Sequence, residues 1–358
     1  MKKEHRLLVI NPGSTSTKIA IFDGEKPLFE KKLSHSPEEL NEYDSIIDQY
    51  DLRKESILST LDEQGINFNK LDAVVARGGL LKPISGGTYR VNDLMIEHLQ
   101  QGYQGEHASN LGGIIAKEIS KQLDIPSYIV DPVVVDELQD LARISGFEPV
   151  ERRSIFHALN QKAVARQAAS SLNKSYEDAN LIVVHLGGGI SVGVHENGKV
   201  IDVNNALDGE GPFSPERSGG LPNADLVKYS ETNNLEWKDL KRKLIGNGGI
   251  VSYLNTNDGR EVVDRIESGD EKAKLIYDAM IYQTAKEVGS CAPVLKGSID
   301  GIVLTGGLAH DDYLVTKLKQ YINFLGDVLV FPGEDEMQSL AEGCLRVLRG
   351  EEPAKEYS

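Results

Sequence analysis

The residues best suited to chemistry on a charged small molecule form the run His185-Leu186-Gly187-Gly188-Gly189. Bare glycine amides let a backbone approach a phosphate that a side chain would hold off. Two familiar phosphate loops are excluded by context. A dinucleotide-binding loop needs a helix directly after its glycines, and a P-loop needs Gly-Lys-Ser/Thr, which the chain lacks. Here the apolar run Leu181 to Val184 precedes the glycines, and Ser191 to Val194 follows with strand alternation before the turn pair Asn197-Gly198. The spacing therefore predicts a strand, a glycine loop and a second strand. Taken alone, such a loop is as readily a tight turn that binds nothing.

A second segment has the same plan. Leu7 to Phe22, LLVINPGSTSTKIAIF, reads as strand, polar glycine turn and strand, with Asp23-Gly24 as the next turn. A shift of 174 residues superimposes Leu7 on Leu181, Asn11 on His185 and Gly13 on Gly187 without gaps. A shift of 228 likewise carries LDAVVARGG, Leu71 to Gly79, onto IDGIVLTGG, Ile299 to Gly307. Two ungapped matches in the same order predict a duplicated unit.

Helices and strands alternate between these marks, which predicts an α/β fold. Helical spacing marks Ala108 to Leu123, Ile155 to Leu172, Asp311 to Leu325 and Glu336 to Arg349, and Tyr128 to Val130 reads as a strand. Ser268-Gly-Asp-Glu271 has the pattern of a capping box, opening a helix with Ala273, Ile276, Met280, Thr284 and Val288 on one face. The polar residues 350–358 are expected to fray. The pattern breaks at 147–154, so the expected domains are 1–150 with a C-terminal helix at 337–358, and 151–336. Hairpin loops from the two halves would face each other across a cleft.

The 358 residues suffice for two domains, and the formal net charge of −16 argues against nucleic acid or an anionic membrane as partner. Any phosphate must be gripped locally, by amides and a few arginines. Cys291 and Cys344 have no disulfide or zinc spacing. With no signal-like or membrane-length apolar run, a cytoplasmic location is expected.

Five motifs, in order along the chain, make it resemble the acetate kinase (acetokinase) family: Asn11-Pro12-Gly13-Ser14 after a strand, Arg152-Arg153-x-x-Phe156-His157, His185 to Gly189, Arg217-Ser218-Gly219 and Thr305-x-Gly307. The segment RGGLLKPISGGTY, Arg77 to Tyr89, is more similar to the butyrate kinases of that family. The resemblance implies a duplicated two-domain ribonuclease H-like, or actin-like ATPase, fold with ATP in the cleft between the domains. It implies reversible phosphoryl transfer between ATP and a short-chain carboxylate, with Mg2+, and a homodimer or higher homo-oligomer. The acceptor suits this chemistry: a carboxylic acid with a pKa of about 4 to 5 is ionised at neutral pH and needs no general base.

By the same resemblance, Arg217 and His157 stabilise charge on the transferring group, and Asp131 is the acidic residue near the metal. Asn11 and Glu336 would hold Mg2+, and Phe156 would line the acyl pocket. Asn11, Gly13, Ser14 and the run His185, Leu186, Gly187, Gly188, Gly189 fall at the nucleotide, with Asp258, Gly259, Arg260 and Gly307, Leu308, Ala309, His310, Asp311 around the adenosine. Each residue also has a plainer reading: a surface salt bridge for Arg217, a core histidine for His157, a strand-end turn for Asp131, a helix-start acid for Glu336. His107 is left to such a reading. One departure stands out. The family's substrate arginine precedes Val-Val-His-Gly-Gly, but here Val74 takes its place and Arg77 takes that of the histidine, so Arg77 becomes the candidate for the substrate carboxylate.

The expected substrate is butyrate. Acetate, propionate or a branched acid such as isobutyrate is the alternative within the class. A non-catalytic or filament-forming nucleotide binder, and a sugar kinase using Asp131 as base, are alternatives outside it.

Overall fold

A computed structural model describes residues 4–358 and divides into two compact units: the chain up to Val135 with Asp335–Ser358, and Asp136–Glu334. This division differs from the expected one at 150/151. The segment after Val135 is tied to the second unit, where Gln139 N–H donates to Ile201 O at 3.0 Å and Arg152 pairs with Asp202 at 3.0 Å. Glu336, expected in the second domain, belongs to the first unit.

In the first unit, β1 (Arg6–Pro12), β2 (Ser16–Asp23) and β3 (Lys26–Ser34) form an antiparallel meander. β4 (Ala73–Arg77) joins β1 in parallel. β5 (Thr88–Arg90) and β6 (Ser127–Val130) extend the sheet beyond β4. In the second unit, β7 (Leu181–Leu186), β8 (Ile190–Glu196) and β9 (Lys199–Val203) repeat the meander, and β10 (Gly301–Gly306) and β11 (Val328–Pro332) repeat the parallel strands. The orders β6-β4-β1-β2-β3 and β11-β10-β7-β8-β9 are the same, at the 174- and 228-residue shifts read from the sequence. The two sheets are thus one duplicated design.

Strand alternation explains how each sheet is covered on both faces. Ile182, Val184 and Leu186 pack with Tyr277, Met280 and Val288 of the Glu271–Cys291 helix, whereas Leu181 and Val183 pack with Val164, Ala165 and Ala168 of the Ala158–Ser171 helix. In the first unit, Leu8, Ile10, Val74 and Ala76 pack with Leu111 and Ile115 of the Asn110–Leu123 helix. The Glu336–Leu348 helix also packs on β1, β4 and β6.

Three local expectations are corrected. Asp270, and not Ser268, caps the Glu271–Cys291 helix by accepting from Ala273 N–H, because Ser268 already ends the helix before it. The first-half turn is centred on Gly24-Glu25, since Asp23 still pairs with Lys26. The C-terminal residues do not fray. β12 (Lys355–Glu356) adds to β5, and the buried Tyr357 places its hydroxyl 2.7 Å from His98 Nδ1 and accepts from Lys82 N–H at 3.1 Å. No helix among the described residues is long and apolar enough to cross a membrane.

Candidate active site

Asn11, Arg77 and Asp131 stand at or just past the carboxyl ends of three neighbouring parallel strands, β1, β4 and β6. That edge is where open α/β sheets place ligands. Asn11 Nδ2 donates to Glu336 Oε2 at 2.7 Å, and Arg77 Nη1 lies 2.8 Å from Glu336 Oε1, so one carboxylate joins both. Val74, at the family's arginine position, is wholly buried core, which leaves Arg77 as the cation at this edge. Asp131 is buried at φ +37°. It exchanges two hydrogen bonds with Gly87, its own N–H to Gly87 O and Gly87 N–H to its Oδ1 at 2.6 Å.

The Gly13-Ser14 loop is held from beneath. Gly13 N–H donates to Ser16 O at 2.7 Å, closing the loop on itself. Arg53, fully buried on the Tyr50–Glu63 helix, donates to Gly13 O at 2.9 Å, Ser14 O at 3.1 Å and Thr17 Oγ1 at 3.1 Å, with Gln49 Oε1 taking its remaining donors. It forms no carboxylate pair among the described residues, and burial lowers its pKa. His107 also belongs to this cluster: its pKa is pushed down by burial first, then by the charges of Arg77 and Arg53. Neither Arg53 nor the placement of His107 was legible in the sequence, because their partners lie far off along the chain.

In the second unit, His157 stands immediately before the Ala158–Ser171 helix, and its ring stacks on that of His185 with centroids 3.6 Å apart and planes 9° from parallel. His185 Nδ1 lies 2.7 Å from Asn160 Oδ1, and its Nε2 lies 3.0 Å from Glu334 Oε1. The glycine loop bends so that Gly187 N–H donates to Gly189 O at 3.1 Å, while Gly188 O accepts from Ser214 Oγ at 2.6 Å. The glycine at 189 has a steric reason. A Cβ there would fall 1.9 Å from Arg217 Nη1, so only glycine lets the guanidinium lie against the loop. Arg217 makes one guanidinium hydrogen bond among the described residues, from Nη1 to Ala206 O at 2.6 Å, and burial lowers its pKa against the pull of Glu216 and Asp208. Its other donors are available for an anion. Phe156 is buried beside His157 in sequence.

The two segments expected around the adenosine meet. A Cβ on Gly259 would lie 2.8 Å from Leu308 Cδ2. Asp258 caps the Gly259–Glu267 helix and forks with its own Arg260, whose side-chain hydrogen bonds and backbone N–H hold the carboxyl at about 2. Asp311 is committed to structure: it caps the Asp312–Ile322 helix and accepts from Tyr277 Oη at 2.5 Å. Burial, then Asp311, raises the Tyr277 pKa far above its ordinary value. Asn160, Ser214 and Glu334 complete the second-unit site; only the i, i+3 spacing of His157 and Asn160 hinted at any of them.

The Acetokinase family model matches residues 147–331. The chain is 58% identical to Butyrate kinase 1 of Clostridium acetobutylicum, over 99% of both chains. Its fold is that of the acetate kinase of Porphyromonas gingivalis (TM-score 0.78, 21% identity, covering 96% of this chain and 100% of that one). The propionate kinase of Francisella tularensis subsp. tularensis SCHU S4 is similar too (TM-score 0.74, 19% identity, 95% and 98% covered). The duplicated sheets are accordingly those of the actin-like ATPase fold. The chain belongs to the acetokinase family, a class of carboxylate kinases.

Proposed function

We propose that the chain is a butyrate kinase, transferring the terminal phosphoryl group reversibly between ATP and butyrate to give butyryl phosphate and ADP. The observation that carries this reading is the 58% identity, end to end, with Butyrate kinase 1. The attacking atom is a carboxylate oxygen that is already ionised, so the enzyme's task is positioning and neutralisation of phosphoryl charge. Arg217 and His157 donate to the oxygens of the transferring group. The amides of Gly187, Gly188 and Gly189 and the Asn11 to Ser14 loop hold ATP phosphates, and the 258–260 and 307–311 segments hold the adenosine. Arg77 receives the butyrate carboxylate, Asp131 is the acidic residue near the metal, and Phe156 bounds the acyl chain.

The donors are hard oxygens of the kind Mg2+ takes: the Glu336 carboxylate, which accepts from Asn11 Nδ2 and pairs with Arg77, and the amide oxygen of Asn11. When bound, the ion shields phosphate charge. The substrate and nucleotide chemistry is that of the cytoplasm, and a homo-oligomer is part of the same reading.

Phosphorylation rates over straight and branched acids of two to six carbons test the assignment, with acyl phosphate trapped as hydroxamate. The expected maximum is at four carbons. Each methylene away from the optimum should lower kcat/KM by about 10–200-fold, the equivalent of about 1–3 kcal/mol, and not abolish activity. A maximum at acetate would refute the butyrate assignment. ATP consumed on a sugar with no hydroxamate from any acid would refute carboxylate kinase chemistry altogether.

A further inference from the structure

Behind His157 runs a buried chain of polar groups that the phosphoryl-transfer chemistry does not itself require. Ser191 Oγ lies 3.0 Å from His157 Nδ1. Gln161 Nε2 donates to Ser191 Oγ at 2.7 Å and to the Ser191 backbone carbonyl at 3.1 Å. Gln161 Oε1 lies 3.0 Å from His195 Nε2, and His195 Nδ1 lies 2.9 Å from Tyr176 Oη. Gln161, Ser191 and His195 have no exposed surface.

Proton positions along this chain follow from donor and acceptor capacity. A backbone carbonyl only accepts, so the Gln161 atom facing Ser191 O is the amide nitrogen, and the amide orientation is set. Its oxygen then faces His195, which must carry its proton on Nε2. His195 is neutral: burial lowers its pKa well below the ordinary value, and the charges of Lys162 and Arg166 lower it further. Its Nδ1 therefore accepts from Tyr176. At the other end, Ser191 Oγ accepts one Gln161 N–H, and its own single proton has one acceptor among the described residues, His157 Nδ1. Two buried acceptors or two donors facing each other would leave both without a partner and out of reach of water, so the order of protons is strongly set.

We propose that Ser191 and Gln161 are positioning residues that hold neutral His157 as its Nε2–H tautomer, turning that N–H into the donor for the transferring phosphoryl group. The catalytic half of this inference rests on the reading of His157 as a phosphoryl contact; the tautomer does not. A glycine in the middle of β8 supports the design. A Cβ on Gly193 would lie 2.4 Å from Gln161 Oε1 and 3.3 Å from His195 Nε2, so the strand forgoes a side chain where the amide must lie.

Nitrogen-15 NMR of the whole enzyme labelled at histidine, with the His157 signals identified by their loss in His157→Gln, reads the tautomer directly. In the neutral ring, Nε2 is expected to be protonated and Nδ1 bare; a proton on Nδ1 overturns the proposal. Ser191→Ala should mix the tautomers and lower kcat by about tenfold, a part of the 10²–10³ typical of losing such a donor outright, with KM for ATP within about twofold. Gln161→Glu should reverse the chain, sending the Ser191 proton to residue 161 and the His157 proton to Nδ1. If that variant does not fold, Gly193→Ala, which displaces Gln161, should mix the tautomers as Ser191→Ala does. Unchanged kcat and an unmixed tautomer in Ser191→Ala would also overturn the proposal. Full activity in His157→Gln with the expected wild-type tautomer would instead refute the phosphoryl-contact reading.

Discussion

The hairpin at Asn11–Ser16 and the hairpin at His185–Ile190 occupy the same place in duplicated sheets, yet they are built from different materials. In both, the next-to-last strand residue reaches a glutamate: Asn11 to Glu336 at 2.7 Å, His185 to Glu334 at 3.0 Å. Beyond that point they diverge. The first loop keeps polar side chains, and its carbonyls are gathered by the buried guanidinium of Arg53. The second is bare glycine, shaped by one hydroxyl on Gly188 O and leaving the space above Gly189 to Arg217. Duplication thus preserved a backbone path while the charge moved. In one loop the arginine is spent beneath the backbone, and in the other it lies on the loop face with donors to spare.

That contrast is open to attack by mutation. The largest effect is expected from Arg217→Ala, which should cut phosphoryl transfer by about 10²–10³-fold while ADP affinity measured by calorimetry stays nearly intact. Equal loss of both would make the residue structural. Arg53→Met removes no group facing an anion but strips buried carbonyls of their donor, at about 2–3 kcal/mol of stability by urea denaturation. Ser214→Ala, the corresponding support under the glycine loop, should cost about 1 kcal/mol, and equal costs would end the distinction between the loops. The smallest effect concerns Asp258, which lies outside both hairpins. Its folded pKa of about 2 lies below the ordinary value of about 3.9. Its contribution is therefore present above that ordinary value and is lost as pH falls toward 2. The difference in urea midpoint between wild type and Asp258→Asn should shrink over that window; a difference independent of pH would refute the Asp258–Arg260 pairing.

Much of the plan was written locally. Strand alternation, the Asn197-Gly198 turn and the two residue shifts are near-neighbour signals, and they sufficed for the duplicated sheets and the positions of both hairpins. Signals of the same kind misled where a distant partner decided the outcome. The tail at 350–358 looks polar enough to fray, but Tyr357 finds His98 more than 250 residues away in the chain. Residues 136–150 look like a continuation of the first half, but Arg152 and Gln139 bind them to β9.

By itself the sequence determined the family, the chemistry on offer and the glycines that leave room for it, because residue type and spacing carry those directly. Returning to the run His185 to Gly189, it could not say why the third glycine is needed or which proton His157 carries. Those answers depend on Arg217 lying against Gly189, and on Ser191, Gln161 and His195 meeting behind the imidazole. Steric room and proton order are properties of groups that touch, and only the folded chain brings these together.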